Sequence, residues 1–536
     1  MKVVISALHF GFFRNFESLV DELAARGHEL LLLADEPEDL GGRALVERLA
    51  ARWPAVRWGW APVPEPEGWF RVARKVRQAI DYLRFLDPAF DPFPKLLARA
   101  SDRVPRAMIA ALRVPLVNTP RGRRALMSAL DAIDRAMPIH VGMLALLAAE
   151  RPDVALFTSV TNSRAPQIDH VRAAMAAGVP AGVCVYSWDH LSSKALIRVA
   201  PDRVFVWNDT QKREAVELHG LPPDRIVVTG AQVYDQWFDR QPSRTSEAFA
   251  IAMGLPPGRR LYLWVCSALT PDPGESRLVR RWIEEIRRSD DPEVRDAAIL
   301  IRPHPERRKE WEGIRWPELG PVVIAGANPV TGDAKADYFD ALAYSSAVVG
   351  LVTSAFLEAA IAGCPVMTIL LPELDLHQRG MLHFRYLLEI EEGLLMVARS
   401  YGEHVEQLRA LERDGDGQRA RQQRFLRAFV RPRGLDRAST PVFADAVEAL
   451  ARTPVTSVKP AAPVWARWTA LRLASSRNGL LRRLLEDGRQ HAEQSARDAL
   501  VGQHRRDRRQ KWRQHRRRKL AMRTQWALKR VRDLIR

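Results

Sequence analysis

Short apolar runs alternate with helical stretches along most of the chain. The first two runs are residues 3–8 and 30–35, and they are separated by a turn containing His9 and Gly11 and by a helical pattern at about residues 15–26. Apolar runs of about 4 to 8 residues that alternate with amphipathic helices are typical of parallel strands joined by crossover helices. The opening of the chain therefore predicts the first unit of a doubly wound α/β domain.

The alternation continues in two blocks, which predicts two α/β domains. In the first, residues 1–240, the stretch 36–150 loses the strand rhythm and predicts a helical insertion. A polar, turn-rich segment at 239–257 precedes the second domain, residues 258–452, whose last helices are long enough to pack back on the first. The remaining predicted strands are 154–159, 181–186, 203–206 and 225–229 in the first domain and 261–268, 297–302, 321–325, 347–351 and 365–370 in the second.

The basic excess of the chain is concentrated in its last segment. Of a formal net charge of +18, residues 466–536 supply +16, with 22 basic and 6 acidic side chains, while residues 68–125 hold 13 basic and 4 acidic side chains. The hydrophobic fraction of 47% is that of a soluble globular protein and excludes a disordered chain. No run of 18 apolar residues occurs, so we expect no membrane span, and the first residues favour a strand over a secretory signal.

Three widely spaced cysteines, Cys184, Cys266 and Cys364, exclude a disulfide scaffold and a cysteine-based zinc site. A chain with so few cysteines suits a reducing cytosol.

Polar side chains follow two predicted strands of the second domain. The string Arg302-Pro303-His304-Pro305 ends one strand abruptly and places a cation and an imidazole at its carboxyl end. Thr353 and Ser354 open a helix after another strand, and Glu358 lies about one turn further on. Ligands of open α/β sheets bind at the carboxyl ends of strands, and helix amino ends favour phosphate. The two strings therefore predict a phosphate-bearing ligand.

These strings resemble those of the GT-B superfamily, which contains glycosyltransferases, UDP-N-acetylglucosamine 2-epimerases and CDP-glycerol glycerophosphotransferases. The resemblance covers about residues 1–452. The segment 23–35 (LAARGHELLLLAD) looks like the start of many GT-B transferases. The segment 229–235 (TGAQVYD), the Arg-Pro-His-Pro string and the Thr-Ser helix start with its glutamate are nearest to the glycerophosphotransferase and capsular polysaccharide transferase branch.

The resemblance implies two Rossmann-like domains that face each other across a cleft. The second domain would hold a nucleotide-diphosphate donor, and the first would present the acceptor and the base. The donor-binding candidates are Arg302 and His304 for the diphosphate, Thr353, Ser354 and Ser267 for phosphate oxygens, and Glu358 for ribose hydroxyls.

The segment 186–194 (YSWDHLSSK) resembles a Trp-His-Gly-Thr-x-x-Lys segment of the glycerophosphotransferases, but Asp189 replaces the histidine and His190 the glycine. This departure favours a sugar transferase. Asp189, His190 or His9 would deprotonate the attacking hydroxyl, a contribution of about 10²–10⁴ in rate. The alternatives are that Asp189 caps a helix beginning at His190 and that the histidines are structural.

We expect direct displacement at the anomeric carbon without a metal. Arg302, His304 and the helix amides after Thr353 would stabilise the departing diphosphate, and no Asp-x-Asp metal motif ends a strand of the first domain. The nucleotide-sugar is a co-substrate, and no further cofactor is predicted.

A Pro/Ala/Val linker at 453–465 precedes the basic tail, residues 466–536. Apolar positions recur at helical spacing from Trp465 onward and again in residues 520–535. Basic amphipathic helices that carry tryptophan lie on anionic membranes. The run 505–519 (RRDRRQKWRQHRRRK) also suits nucleic-acid phosphates, and a solvated extension is the third interpretation.

The sequence therefore predicts a cytoplasmic glycosyltransferase, peripheral to the inner face of the plasma membrane. It would move a sugar from a nucleotide donor to a glycan or lipid-linked acceptor in cell-envelope polysaccharide synthesis. Three alternatives stay open. They are a CDP-glycerol-type glycerophosphotransferase, a sugar-nucleotide 2-epimerase, and a non-catalytic nucleic-acid-binding or scaffold protein.

Overall fold

The computed structural model describes residues 1–38, 41–63, 67–104, 108–109, 112, 114–162, 165–268, 274–411, 415–455 and 462–475. Within these ranges the chain forms two parallel sheets, one of seven strands and one of six. The predicted tail stripe at 520–535 and the basic run 505–519 lie outside the described residues.

The first sheet has the strand order β3-β2-β1-β4-β5-β6-β7. Its central strands read as near-continuous apolar runs because helices cover both faces, and β1, β2 and β4 are almost entirely buried. Its strands are β1 Lys2–Ala7, β2 Glu29–Ala34, β3 Val56–Trp60, β4 Val154–Phe157, β5 Ala181–Cys184, β6 Arg203–Val206 and β7 Ile226–Val228. The helices of this domain are α1 Glu17–Ala25, α2 Gly42–Arg52, α3 Glu67–Arg84, α4 Pro94–Ser101, α5 Pro120–Arg135, α6 Val141–Glu150, α7 Gln167–Ala176, α8 His190–Ser193, α9 Asp209–Glu217 and α10 Asp235–Phe238.

The second sheet has the order β10-β9-β8-β11-β12-β13. Its strands are β8 Leu261–Val265, β9 Ala298–Arg302, β10 Val322–Ile324, β11 Ala347–Gly350, β12 Val366–Ile369 and β13 Met396–Ala398. Its helices are α11 Ser246–Ala252, α12 Glu275–Arg287, α13 Pro292–Arg295, α14 Gly332–Ala343, α15 Ala355–Ile361, α16 Tyr386–Glu389, α17 Tyr401–Ala410 and α18 Gly415–Phe429, and the chain continues with α19 Ser439–Ala451 and α20 Val464–Ser475.

The prediction that the strand rhythm is lost over residues 36–150 is wrong at β3, which pairs in parallel with β2. This edge strand has the sequence VRWGW, in which Arg57 and Gly59 interrupt the apolar run and Trp60 is half exposed. An edge strand is covered on fewer sides than a central one, so its sequence lacks the continuous apolar signal. The part of the segment that is without strands therefore begins after β3, and its first helix is α3.

The boundary segment 239–257 also contains more order than its polar composition predicts. Helix α11 forms there, and its buried Phe249 packs against Tyr344, with ring centroids 5.9 Å apart. Because Phe249 belongs to the core around the second sheet, α11 is part of that domain.

The inserted helices form a small core of their own. Side chains of α3, including Val72, Val76 and Ile80, pack with α5 and with Ala466 and Ala470 of α20. A buried ion cluster joins this core to the first sheet, since the Arg77 guanidinium binds Asp134 of α5 at 2.7 Å and Asp169 of α7 at 2.6 Å. The insertion is thus held rigidly against the first domain.

Helix α19 crosses back from the second domain to the first, as the sequence predicts. Phe443, Val447 and Leu450 are buried in the core under the first sheet. Two parallel α/β domains connected by such a return helix constitute the GT-B architecture. In the part of the chain that the structure describes, no helix is long and apolar enough to cross a bilayer.

Candidate functional site

The two domains contact each other beside the carboxyl end of β1. A 3₁₀ segment, Phe10–Asn15, follows this strand, and α1 begins directly after it. Glu17 at the start of α1 binds Lys335 of α14 across the domain boundary, with Nζ 3.2 Å from Oε2. Burial raises the pKa of Glu17, but Lys335 and Arg48 outweigh it and hold the pKa below its ordinary value. The carboxylate is therefore charged, and this ion pair fixes the 3₁₀ segment next to the second domain.

Arg302 is the last residue of β9 and is buried, with 7% of its surface exposed. Nη2 donates to the carbonyl of Ala327 at 3.0 Å, and the guanidinium lies over the Tyr338 ring at 5.0 Å. Nη1 is buried and has no hydrogen-bond partner among the described residues. Burial lowers the pKa of Arg302, yet at neutral pH the group stays charged. A buried cation with an unused donor is suited to an anionic ligand.

The loop beyond β10 leaves room for this guanidinium only because it contains glycine. Gly326 has a φ of +127°, and a Cβ added there would lie 2.6 Å from Cζ of Arg302. The close approach of this backbone to the side chain therefore requires glycine at position 326.

Glu358 lies in α15, and its Oε2 accepts a short hydrogen bond from the Tyr338 hydroxyl. Burial raises the pKa of Glu358 to about 7, although Tyr338 and the charges of Arg14 and Arg302 lower it. Near neutral pH this carboxyl exists in both protonation states, so it can accept or donate a hydrogen bond to a hydroxyl-bearing ligand.

His304 caps the 3₁₀ segment Pro305–Trp311 that follows β9, and its Nδ1 accepts from the amide of Glu306 at 3.3 Å. The ring is half-buried. Burial lowers its pKa, Glu306 raises it, and Arg14 and Arg307 lower it further. His304 is therefore neutral at pH 7. It can contribute a polarised N–H to a phosphate but no positive charge.

Of the other three donor-binding candidates, two are engaged in hydrogen bonds within the protein. Thr353 Oγ1 accepts a hydrogen bond from the amide of Ala355 at 3.3 Å. Ser354 is exposed and is the N-cap residue of α15, but its side chain makes no capping hydrogen bond. Ser267 is buried, and its amide and hydroxyl both donate to Glu275. The donor roles assigned to these three residues stay predictions.

Arg14 is the link between the two sides of the site. Its side chain is exposed at the domain boundary, and its charge lowers the pKa values of His9 in the first domain and of His304 and Glu358 in the second. One cation is therefore within electrostatic range of all three groups, which come from both domains.

His9 lies two residues after the end of β1 and directly before the 3₁₀ segment Phe10–Asn15. The ring is half-buried against Phe12, with ring centroids 4.5 Å apart, and the described residues provide no hydrogen-bond partner for Nδ1. Burial lowers the pKa of His9, Glu38 raises it, and Arg14 lowers it. The imidazole is therefore neutral and able to take a proton at neutral pH.

Asp189 lies in a dense polar cluster at the start of α8. Its carboxylate accepts from Ser187 at 2.5 Å and from Ser193 at 3.2 Å, and Lys194 Nζ is 3.8 Å from Oδ2. Burial raises the pKa of Asp189, but Lys194, His383 and Ser187 hold it well below its ordinary value. A carboxylate stabilised to this degree is a weak proton acceptor.

His190 is fully buried in the first turn of α8, where its Nδ1 accepts from the amide of Tyr186 at 3.2 Å. Burial, helped by the charge of Lys194, lowers its pKa to about 3. A ring without solvent-accessible surface packs and orients the 186–194 segment, so it does not reach a substrate in this conformation.

Arg14 and Tyr338 are not among the site residues predicted from the sequence. Arg14 is in a short 3₁₀ segment and Tyr338 is in the interior of α14, and neither position follows a strand directly. Their roles depend on how helices and the opposite domain approach the strand ends. The signal that could have indicated Arg14 is its position shortly after the first strand, close in sequence to the predicted base His9.

Within the described ranges, no group of three or more His, Cys, Asp or Glu side chains is arranged to hold a metal ion. The three cysteines are buried and free.

No protein-family model matches the chain, and no curated protein does. Several solved structures are similar in fold. A glycosyltransferase from Rickettsia africae ESF-5 has 9% identity and a TM-score of 0.48, over 84% of this chain and 98% of that one. A UDP-GlcNAc 2-epimerase from Neisseria meningitidis, bound to UDP-GlcNAc, has 11% identity and a TM-score of 0.47, over 84% and 100%.

WaaG, a glycosyltransferase of lipopolysaccharide biosynthesis, has 13% identity and a TM-score of 0.42, over 84% of this chain and 99% of that one. Glycosyltransferases and epimerases thus occur side by side among the similar structures. Likeness at these identities and TM-scores does not specify an activity, so the functional argument rests on the residues of the boundary between the domains.

Proposed function

We propose that the protein is a glycosyltransferase that moves a sugar from a nucleoside-diphosphate donor to a hydroxyl of an acceptor. The observation that carries this proposal is the set of groups around Arg14. Buried Arg302, neutral His304 and the Glu358–Tyr338 pair lie on one side, and neutral His9 lies on the other. The set offers cations for a diphosphate, a carboxyl for hydroxyls and a base for an acceptor.

The second domain would hold the donor. The unpaired Nη1 of Arg302 and the exposed Arg14 supply the positive charge that a diphosphate requires. Charge-assisted hydrogen bonds of this kind contribute about 1.5–3 kcal/mol each. Glu358 would bond ribose hydroxyls. Thr353 and Ser354 would add neutral contacts.

The step itself is a displacement at the anomeric carbon. The acceptor oxygen forms a bond to that carbon, and the bond from the carbon to the diphosphate oxygen breaks and leaves its electron pair on the diphosphate. The proton of the acceptor hydroxyl passes to the neutral imidazole of His9. Arg302 and Arg14 stabilise the charge that develops on the leaving group, and we propose that no metal is needed for this.

Among the three predicted bases, His9 fits this role best. Asp189 is held charged by Lys194 and hydrogen-bonded by Ser187 and Ser193, and His190 is fully buried. We propose that Asp189 and His190 fix the 186–194 segment beside the acceptor and that the base is His9.

The acceptor is proposed to be a glycan or lipid-linked substrate of envelope polysaccharide synthesis, at the cytoplasmic face of a membrane. Helix α20 supports this location. Its Ala466 and Ala470 are buried against the insertion, whereas Trp465, Trp468 and Leu471 are each at least half exposed. Arg472 lies over the Trp468 ring at 4.2 Å.

A face of tryptophan and leucine with adjoining arginines fits the interfacial zone of an anionic bilayer. The basic segment of residues 466–536, most of which follows this helix, carries a net +16. We propose that α20 and the following basic segment bind anionic lipid.

The test is incubation of the full-length protein with radiolabelled UDP-, GDP-, CDP-, ADP- and TDP-linked sugars and with CDP-glycerol, in the presence of a membrane lipid extract. Sugar incorporation into an extractable product supports the proposal. Conversion of the donor to a sugar epimer without an acceptor, or turnover of CDP-glycerol alone, would contradict it.

A further inference from the structure

A pocket lies in the first domain, between the inserted helices and the end of α8. Its polar lining consists of Gln78 and Asp81 from α3, Arg99 from α4, Arg103, and Ser193 and Lys194. Phe85, Leu96 and two alanines complete the wall. None of these residues belongs to the Arg14 cluster described above, so the pocket is a separate site.

Gln78 is the residue that points to a ligand. It is 3% exposed and lines the pocket, yet neither atom of its amide group has a hydrogen-bond partner within the described part of the chain. Buried polar groups are almost always paired, and leaving one unpaired is destabilising. The Gln78 amide is therefore available to bond a group that enters the pocket.

The charge of the pocket selects an anion. Three of its lining residues, Arg99, Arg103 and Lys194, are basic, and Asp81 is the acidic one. Asp81 is already neutralised, because its Oδ1 accepts from Arg198 at 2.9 Å and from the amide of Leu196 at 3.0 Å. The formal charge of the lining is therefore net positive.

Arg84 adds a further cation behind this wall. It is buried and donates to the carbonyl of Lys194 at 3.3 Å, while Nε and Nη2 have no partner among the residues described. Burial lowers the pKa of Arg84 to about 10, so it remains charged at neutral pH. An anion in the pocket would stabilise this buried charge.

The pocket is connected to the 186–194 segment of the first domain. Lys194 belongs to its wall and also lies 3.8 Å from Asp189, and the Ser193 hydroxyl donates to the same carboxylate. An occupant of the pocket would therefore contact the segment proposed to lie beside the acceptor.

We propose that this pocket binds a phosphate or carboxylate group that is carried by the acceptor. The identification of the carrier as the acceptor rests on the proposed function, whereas the binding of an anion does not. The Gln78 amide would bond one anion oxygen, and Arg99 and Lys194 would supply the charge. A lipid phosphate and a soluble phosphorylated or acidic glycan share this chemistry.

The experiment measures binding of inorganic phosphate to the full-length protein by calorimetry. R99Q removes a pocket cation, R124Q removes an exposed arginine of the same insertion as a charge-matched control, and R302Q disables the proposed donor site. We expect R99Q to weaken phosphate binding about tenfold, as the loss of one charge-assisted bond implies. R124Q and R302Q should still bind phosphate in this pocket.

A second variant separates binding from folding. Q78L replaces an unpaired buried amide with an apolar side chain of similar size, so it should weaken phosphate binding without lowering the thermal midpoint. A strongly lowered midpoint would show that Gln78 is paired inside the protein, and this would overturn the inference. So would equal phosphate affinity in the wild type and R99Q.

Vesicles distinguish the sources of the anion. Binding to phosphatidylcholine vesicles with and without about one-tenth phosphatidic acid is compared for R99Q and R124Q, because α20 contributes equally to both. A phosphatidic-acid increment that R99Q alone loses identifies a lipid phosphate, and loss of soluble phosphate binding alone identifies a soluble acceptor. Nucleotide binding that is lost in R302Q and retained in R99Q would show that the donor site and this pocket are separate. The failure of one proposal would then leave the other intact.

Discussion

The hydroxyl of Tyr338 donates a hydrogen bond to the Glu358 carboxyl, and the same tyrosine ring lies under the guanidinium of Arg302. One aromatic side chain therefore orients two of the groups proposed to grip the donor. Such an arrangement presets the site before a ligand binds, which reduces the ordering cost of binding.

Glu358 gives the fold a specific pH dependence. Its pKa of about 7 in the folded protein exceeds the ordinary value of 4.5, so its stabilising contribution is complete below about pH 4.5 and is lost as the pH rises through about 7. E358Q removes this dependence. Relative to the wild type, E358Q should gain of the order of 2 kcal/mol in unfolding free energy between pH 5 and pH 8.

Urea denaturation at the two pH values measures this difference. E312Q, at an exposed carboxylate, is the control and should show no such gain. An E358Q variant whose stability changes with pH in parallel with the wild type would refute the assignment.

His9 should be needed for the chemical step and not for donor binding. H9Q removes the neutral imidazole, so we expect kcat to fall by about 10²–10⁴ while the affinity for nucleotide stays within about twofold. H190Q should instead lower the thermal midpoint, because it opens a fully buried site. Full activity in H9Q would show that another residue is the base.

The buried cluster of Arg77 with Asp134 and Asp169 should be essential for the stability of the first domain. R77M leaves two buried carboxylates without their partner, and we expect a loss of about 3–5 kcal/mol. R43M breaks an exposed pair with Glu47 and should cost less than about 1 kcal/mol. Chemical denaturation followed by tryptophan fluorescence compares the two, and similar losses would contradict the burial argument.

The exposed face of α20 should bind anionic lipid. The double variant W465S/W468S should bind vesicles of phosphatidylcholine and phosphatidylserine about tenfold more weakly, because it removes the aromatic rings that enter the interface. Since both rings are at least half exposed, the thermal midpoint should not change. The control I251S, at an exposed isoleucine of the second domain, should bind as the wild type does.

The sequence predicts the sheets well because central parallel strands are continuous apolar runs. Eleven of the thirteen strands in the described residues are predicted from such runs. The other two are β3, in which Arg57 and Gly59 interrupt the apolar run, and β13, a three-residue strand at the edge of its sheet. The turn-rich composition at 239–257 concealed α11, whose one large buried side chain is Phe249.

The site is predictable only where residues are adjacent in sequence to a strand end. Arg302 is the last residue of β9 and His304 lies two residues beyond it, so their place could be inferred. Arg14 and Tyr338 act through the approach of the opposite domain and of a helix interior, which no local pattern encodes. The low basicity of Asp189 was also hidden, since it depends on Lys194 and His383, the latter from the second domain.

The most direct measurement for the central claim is the dissociation constant of nucleoside diphosphates, from a set of UDP, GDP, CDP, ADP and TDP, for the wild type, R302Q and the exposed-site control R315Q. The account predicts that at least one nucleotide binds the wild type, that R302Q binds it at least about tenfold more weakly, and that R315Q binds it normally. Binding of none of the five nucleotides, or equal binding by R302Q and the wild type, would contradict it.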